Sequence, residues 1–426
     1  MKRKSSGFGR RRFLGTTLAA AGSLLLPRPL AAASPLDTLR ARFPDLRRRF
    51  IFEYYPWYGR DPWRHWDAED RTPPSDLASP YMPRLGAYDS RSRAVVEQHA
   101  RWIAESGVGA VNLSWWGPDS YEDRAVHGVM DVMRDHDLKV TFHLEPYADD
   151  RGRRFATDVL YLLKEYGERR HFDAFLLLQD PDGSVGPLFK GFRMILPPTS
   201  RDCRGVEHPV PDFTAGREWQ AQIGTLRSVL RGDFQRVRVL ADTLDVDAAA
   251  AAEFDGIAVY DNRVGPERYA VVARAASAKG LLFSFNVNPG FHAVRPRVPP
   301  IDECGQAAPP PDFVPGGNRV DLSTAAGRER AADLSGRRIV QSFGETVALQ
   351  ANPVLSNAQR GFFLTYVNSF NEWHEGHAFE PMKDAGALTP EERASGYDNP
   401  QRGEYRLAVL KELLAGQDPP VDPDRP

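Results

Sequence analysis

Eight short apolar runs, rich in β-branched and aromatic residues, recur along the chain with helix-like stretches between them. They are RFIFEYY (49–55), GAVNLSW (109–115), KVTFHLE (139–145), AFLLLQD (174–180), VRVLADT (237–243), GIAVYDN (256–262), LFSFNVN (282–288) and FLTYVNS (363–369). Amphipathic stretches such as 92–106 and 156–170 lie between them. Strands alternating with helices predict a parallel sheet, and eight repeats predict a single α/β domain, a (β/α)8 TIM-type barrel with long loops on its C-terminal face. An open doubly wound sheet is the alternative, but no Gly-rich phosphate-binding turn follows an early strand. A further run, FRMILPP (192–198), is either an inserted hairpin or a replacement for one of the eight. The Pro-rich segment 289–320 reads as a functional loop or a mobile insertion.

Several runs end in polar or aromatic groups: Tyr55-Pro56-Trp57-Tyr58, Trp115-Trp116, Glu145-Pro146-Tyr147, Tyr260-Asp261-Asn262 and Asn371-Glu372. Barrel enzymes keep their chemistry at the C-terminal ends of the strands. Five strands therefore point such residues at one face.

The two ends of the chain read differently from the middle. Residues 1–33 have twin arginines (Arg10, Arg11), a short apolar core to Leu26 and Ala31-Ala32-Ala33 before Ser34. That is the pattern of a cleaved export signal of the twin-arginine (Tat) type, too short in its apolar part for an ordinary membrane span. The expected organisation is a signal at 1–33, the barrel at 34–416 and a disordered tail at 417–426, with the mature protein periplasmic or secreted.

Export changes the charge. The signal holds seven basic residues and no acidic ones, so 55 Lys and Arg fall to 48 against 57 acids, a net of −9. Such a surface has no electrostatic footprint for nucleic acid or anionic membrane, and no stable membrane insertion is expected once the signal is gone. Cys203 and Cys304 either pair in an oxidising compartment or stand as separate thiols.

The densest chemistry lies in TYVNSFNEWHEGHAFEP (365–381), with Glu372, Glu375 and Glu380 around His374 and His377. A zinc site of the metalloprotease kind needs histidines four apart on a helix. Here they are three apart with Gly376 between them, so no metal and no cofactor is expected. A carboxylate pair is the stronger reading. Glu372 and Glu375 share one pocket if the strand ends near Phe370 and the chain turns, which Gly376 permits. Two close carboxylates are driven apart in pKa, one acid and one base, as glycoside cleavage requires. A solvated polar loop is the bland alternative. Six large rings, Tyr54, Tyr55, Trp57, Tyr58, Trp63 and Trp66, crowd 53–67 beside Pro56, Gly59 and Pro62, and rings with a wet edge suit sugar-binding surfaces.

In order along 50–381, YYPWYG (54–59), HWD (65–67), SWWG (114–117), FHLEPY (142–147), FDG (254–256), NPGF (288–291) with RP (295–296), and SFNEWHEG (369–376) resemble glycoside hydrolase family 99, the endo-α-mannosidase and endo-α-1,2-mannanase family. The resemblance implies a (β/α)8 barrel and a retaining, metal-free hydrolase acting within α-mannosides on an oligosaccharide or polysaccharide. It puts the general acid/base on Glu375. A base assists attack by the sugar's own 2-hydroxyl, a role open to Glu372 and to Glu145. Tyr55, Trp115 or Trp116, and Tyr260 look like sugar contacts, and Trp57, Tyr58, Asn371 and His374 complete the candidate substrate site.

The chain also departs from the family pattern. His377-Ala378 stands where Thr-Gln is usual, LQDPDGS (178–184) where a Tyr-Asp-Ser-Tyr-His run is usual, and Phe291 replaces a Tyr ahead of the Pro-rich insertion. These changes leave two alternatives beside the mannosidase reading: a hydrolase of a different α-linked polysaccharide, or a glycan-binding protein without chemistry.

Overall fold

The computed structural model describes residues 33–43, 45–308 and 313–417. The expected export signal and the tail fall outside these residues, apart from Ala33 and Gln417. Contacts divide the chain into Met1–Ser34 and Pro35–Pro426, and the second unit carries the fold.

Eight parallel strands make a barrel. They are β1 (Phe50–Tyr54), β2 (Ala110–Trp115), β3 (Lys139–Leu144), β4 (Val185–Gly191), β5 (Arg238–Ala241), β6 (Gly256–Ala258), β7 (Leu282–Ser284, continued as Asn286–Val287) and β8 (Thr365–Val367). Each pairs with the next from β1 to β6. The first half of β7 pairs with β6, its second half pairs with β8, and β8 pairs with β1, which closes the ring.

Strand side chains alternate between faces, and this sorts the barrel into layers. At the bottom, Ile51, Ala110, Leu188, Leu240, Ala258, Leu282 and Leu364 form an apolar plug. One step up, Glu53, Asn112, His143 and Lys190 form a buried polar layer. The next inward positions, Tyr55, Ser114, Glu145 and Tyr260, reach the top. The outward residues of the same strands, such as Phe52, Val111, Phe142 and Phe189, pack under the helices. Helix α1 (Arg93–Ser106) buries Val96, Ala100 and Ile103 on one stripe and ends at Gly107 in the left-handed conformation. Helices α2 (Arg151–Leu162), α3 (Ala325–Ala351) and α4 (Tyr405–Ala415) continue the outer layer.

The fourth strand is not the expected one. Residues 174–176 hydrogen-bond to the foot of β3, at Val140. Leu177–Gln179 then turns back antiparallel to β4, which supplies the barrel strand. The sequence VGPLFKG hides this strand behind Gly186, Pro187 and Lys190. Gly186 is needed because a Cβ there would overlap the Arg236 carbonyl oxygen, and Lys190 is a buried ion-pair partner. The run 192–198 forms no strand. Segment 289–320 holds only isolated bridges and a short turn, Gly317–Arg319, among its described residues. Cys203 and Cys304 are disulfide-bonded, tying the Thr199–Arg201/Glu207–Pro209 hairpin to that segment.

Candidate active site

The site forms where the strands end. After β8 the chain leaves the barrel at Ser369, makes an excursion through 371–376 and returns, closed by hydrogen bonds from Phe379 N to Ser369 O and from Glu380 N to Phe370 O. Gly376 makes the reversal with φ of +64°. A Cβ there would lie 2.1 Å from the His292 carbonyl oxygen, so only glycine fits.

That excursion brings Glu372 and Glu375 together. Glu372 is buried, and its Oε1 accepts the backbone N–H groups of His374 at 2.8 Å and Glu375 at 3.2 Å. The Glu375 side chain is 38% exposed. Its Oε2 accepts the Tyr260 hydroxyl at 3.2 Å and lies 2.7 Å from His377 Nε2. Burial pushes the Glu375 carboxyl up, but the hydrogen bond and charge of His377, joined by Tyr260, outweigh it and hold it below its ordinary value.

Two tyrosines bridge the pair to the barrel wall. Tyr55 donates to the Tyr260 hydroxyl at 2.9 Å. Both phenols are pushed well above their ordinary value, first by burial and then by carboxylate charge: Glu375 and Glu372 act on Tyr260, and Glu53, Glu145 and Glu372 act on Tyr55. Both remain hydrogen-bond donors at neutral pH. Glu145 accepts the Ser114 hydroxyl at 2.8 Å, and burial pushes its carboxyl up. The same Ser114 oxygen accepts the Trp116 indole N–H at 3.0 Å.

Half-buried rings line the opening. The Trp57 ring centroid is 4.6 Å from those of Tyr55 and His65, 6.3 Å from Trp116 and 6.1 Å from His374. His374 Nε2 meets the His65 carbonyl at 2.8 Å. Its imidazole is pulled down by burial, yet Glu372 alongside raises it overall. His65 has no such partner, and burial with the His374 and Arg64 charges holds it at about 3.

Three expected sugar contacts are placed elsewhere. Trp115 faces outward into the helix layer, where its indole donates to Asp123 at 2.7 Å. Tyr58 is buried against Trp66, centroids 4.0 Å apart, and its hydroxyl accepts the Trp373 amide. Asn371 is buried and grips the Tyr55 backbone at both N–H and C=O. These residues shape the site from behind. Glu380 is likewise buried, bonded to Tyr88 and Trp373.

Sequence reasoning missed His377 and Ser369 as members of the site. The signal was visible in His377, two residues beyond Glu375, but only the fold shows its ring turning back onto the carboxylate. The ring nitrogens of His374 and His377 face protein partners. Among the described residues, the three-ligand groupings of metal-binding type lie at Cys203, Asp302 and Cys304 and at Asp202, His208 and Glu303, away from this loop. A cavity of about 700 Å3, lined by Arg71, His292, Arg295, Asp321, Arg328 and Arg393, lies behind the excursion and not over the glutamates.

The fold and site are those of a (β/α)8 barrel with carboxylates and aromatic rings gathered at the C-terminal ends of its strands. Residues 49–176 match the model of Glycosyl hydrolase family 99. The glycoprotein endo-alpha-1,2-mannosidase of Mus musculus is 30% identical over 198 residues, 40% of this chain and 41% of that protein. A glycoprotein endo-alpha-1,2-mannosidase-like protein of Danio rerio is 25% identical over 375 residues, 79% of this chain and 72% of that protein. The family 99 endo-alpha-mannosidase of Bacteroides thetaiotaomicron shares the fold, with a TM-score of 0.57 at 20% identity, over 87% of this chain and 97% of that one. The resemblance read from the motifs is thus shown: this chain is similar to glycoside hydrolase family 99 over residues 49–176 and to the endo-alpha-mannosidases named above. The alignments with the first of these curated relatives span about two-fifths of their length.

Proposed function

We propose that this protein is an exported, retaining, endo-acting hydrolase of α-mannosidic linkages in mannan-like glycans. The observation that carries the proposal is the Glu372–Glu375 pair beside Tyr55 and Tyr260, at the mouth of a ring-lined barrel. Glu375, the more exposed of the two, protonates the departing sugar oxygen. Glu372, fixed by two backbone amides on Oε1, directs its other oxygen to the 2-hydroxyl and takes its proton as that oxygen attacks the sugar carbon. The resulting anhydro-sugar is opened by water, with Glu375 now acting as base. Trp57 and Trp116 supply faces for stacking on sugar C–H groups.

The paired cysteines suit an oxidising compartment, in keeping with export through residues 1–33. Changing Arg10-Arg11 to Lys-Lys should leave the protein in the cytoplasm, and unimpaired export would refute the twin-arginine route. Among the described residues no helix is long and apolar enough to cross a membrane.

Purified protein incubated with α-mannan and a panel of other α-glycans should release oligosaccharides from mannan. Glu375→Gln should lose at least about tenfold of turnover on substrates with a poor leaving group. The changed rim, with its disulfide-tied hairpin and Pro-rich segment, favours a second reading: a different α-linked polysaccharide cut by the same machinery. Products from another member of the panel would select it. Sugar binding with no product from any glycan would refute the hydrolase.

A further inference from the structure

His377 occupies a position from which it can hold the proton that Glu375 delivers. The ring is fully buried. Nε2 lies 2.7 Å from Glu375 Oε2, and Nδ1 lies 3.0 Å from Ser369 Oγ. Ser369 Oγ also accepts the Glu372 amide at 2.7 Å. A serine hydroxyl has one donor and two acceptor sites. With one acceptor site taken by Glu372 N–H, Ser369 can still accept from a protonated Nδ1 or donate into a bare one. Nδ1 is therefore satisfied whether or not it carries a proton.

The other groups facing this pair come from several elements. Tyr260, after β6, donates to Glu375 and sits 6.2 Å ring to ring from His377. Glu372 lies behind Ser369, and the Arg263 charge acts on Glu375. Arg406, from α4, donates to the carbonyls of Gly376 and Ala378 on either side of His377. An isolated imidazolium here would face Arg406 unfavourably. The Glu375 carboxylate at hydrogen-bond distance supplies the compensating charge.

We propose that His377 is the proton store of the acid/base: one proton is shared between His377 Nε2 and Glu375 Oε2, and the pair gains and loses it as a unit. In the first half-reaction the proton passes from Nε2 to Glu375 and on to the leaving oxygen, leaving a neutral imidazole. In the second, the attacking water returns a proton through Glu375 to Nε2, and the pair is restored. His377 acts through Glu375, so it is a positioning residue and touches no substrate. The role rests on the hydrolase reading above, whereas the shared proton itself does not.

Two measurements test it. The first is kcat/KM against pH for wild type and His377→Gln on a glycan with a poor leaving group. Glutamine keeps an N–H toward Glu375 but cannot take up a proton. If the pair stores the proton, the high-pH limb of the wild type lies near the imidazole range, and H377Q moves it down by at least about one unit toward the carboxylate range. If His377 only lowers the Glu375 pKa, removing it raises that pKa, and the limb moves up; a limb that stays or rises overturns the proposal.

The second measurement needs no substrate. The His377 ring is followed by NMR in the histidine-labelled full chain, assigned by its loss in H377Q. Its titration midpoint should fall by at least about one unit in Glu375→Gln, and an unmoved midpoint overturns the proposal. A moved midpoint with no turnover on any glycan upholds the shared proton and refutes the hydrolase reading instead.

Discussion

Glu53 and Lys190 meet in the middle of the barrel, Oε1 to Nζ at 2.5 Å, with both side chains about 1% exposed. His143 and Asn112 occupy the other carboxylate oxygen, at 3.1 and 2.9 Å. Burial alone would push the Glu53 carboxyl up, but Lys190 and His143 outweigh it and bring it down to about 2. This layer lies directly beneath Tyr55 and Glu145, so it forms the floor of the site.

Removing one partner should be costly. Lys190→Met leaves a carboxylate without its main countercharge and should destabilise the fold by about 3–5 kcal/mol, measured by denaturant unfolding. The double variant Glu53→Gln/Lys190→Met should recover much of that loss. Additive losses would mean that the two groups do not act as a pair. The pH dependence has a definite sign. The folded carboxyl titrates below its unfolded value, so its stabilisation is present above about 4.5 and is lost as pH falls through about 2. Wild type should lose stability over that window more steeply than Glu53→Gln.

Trp115 and Trp116 should separate cleanly into a core residue and a site residue. Trp115→Ala empties a buried outward position and removes the bond to Asp123, so it should cost about 3–5 kcal/mol in unfolding free energy. Trp116→Ala should leave stability within about 1 kcal/mol and raise KM several-fold, since its half-buried ring sits in the opening. A large stability loss for Trp116, or an unchanged KM, would contradict this assignment.

The same pair shows how much the sequence held. GAVNLSW places Ala110, Asn112 and Ser114 on one face by simple alternation, so Trp115 turns outward and Trp116 inward. That distinction was legible and only needed the register. Most of the barrel was legible for the same reason, because its strands are continuous apolar runs buried on both faces. β4 was not, since its breaker residues answer to distant partners: Gly186 to the Arg236 backbone and Lys190 to Glu53, 137 positions away. Nor could local pattern place Tyr260 against Glu375, 115 positions apart. The motif marked the glutamates, and closure of the barrel supplied their neighbours.

The Cys203–Cys304 bond spans 101 residues and ties two rim segments that share little regular structure. Reduction, or Cys203→Ser/Cys304→Ser, should lower stability by up to about 2–4 kcal/mol and the melting temperature by several degrees. Limited proteolysis should then cut faster within 296–308. If reduced and oxidised protein are cleaved at the same rate, the bond does not hold that segment in place.

Glu372 and Glu145 compete for the role of base, and their surroundings favour Glu372. Its Oε1 is held by two backbone N–H groups, which fix its direction beside the Glu375 amide. Glu145 instead takes one hydroxyl from Ser114, a rotatable partner that fixes its direction less firmly than two backbone amides would. Glu372→Gln should therefore reduce kcat by about 100-fold or more, whatever the leaving group, because the 2-hydroxyl must be activated in every case. Glu145→Gln keeps the size and the Ser114 contact, so it should act mainly on KM and lower kcat less than about tenfold. Steady-state kinetics of the two variants on one substrate decides between them: a kcat collapse in Glu145→Gln with Glu372→Gln little affected would move the base to Glu145.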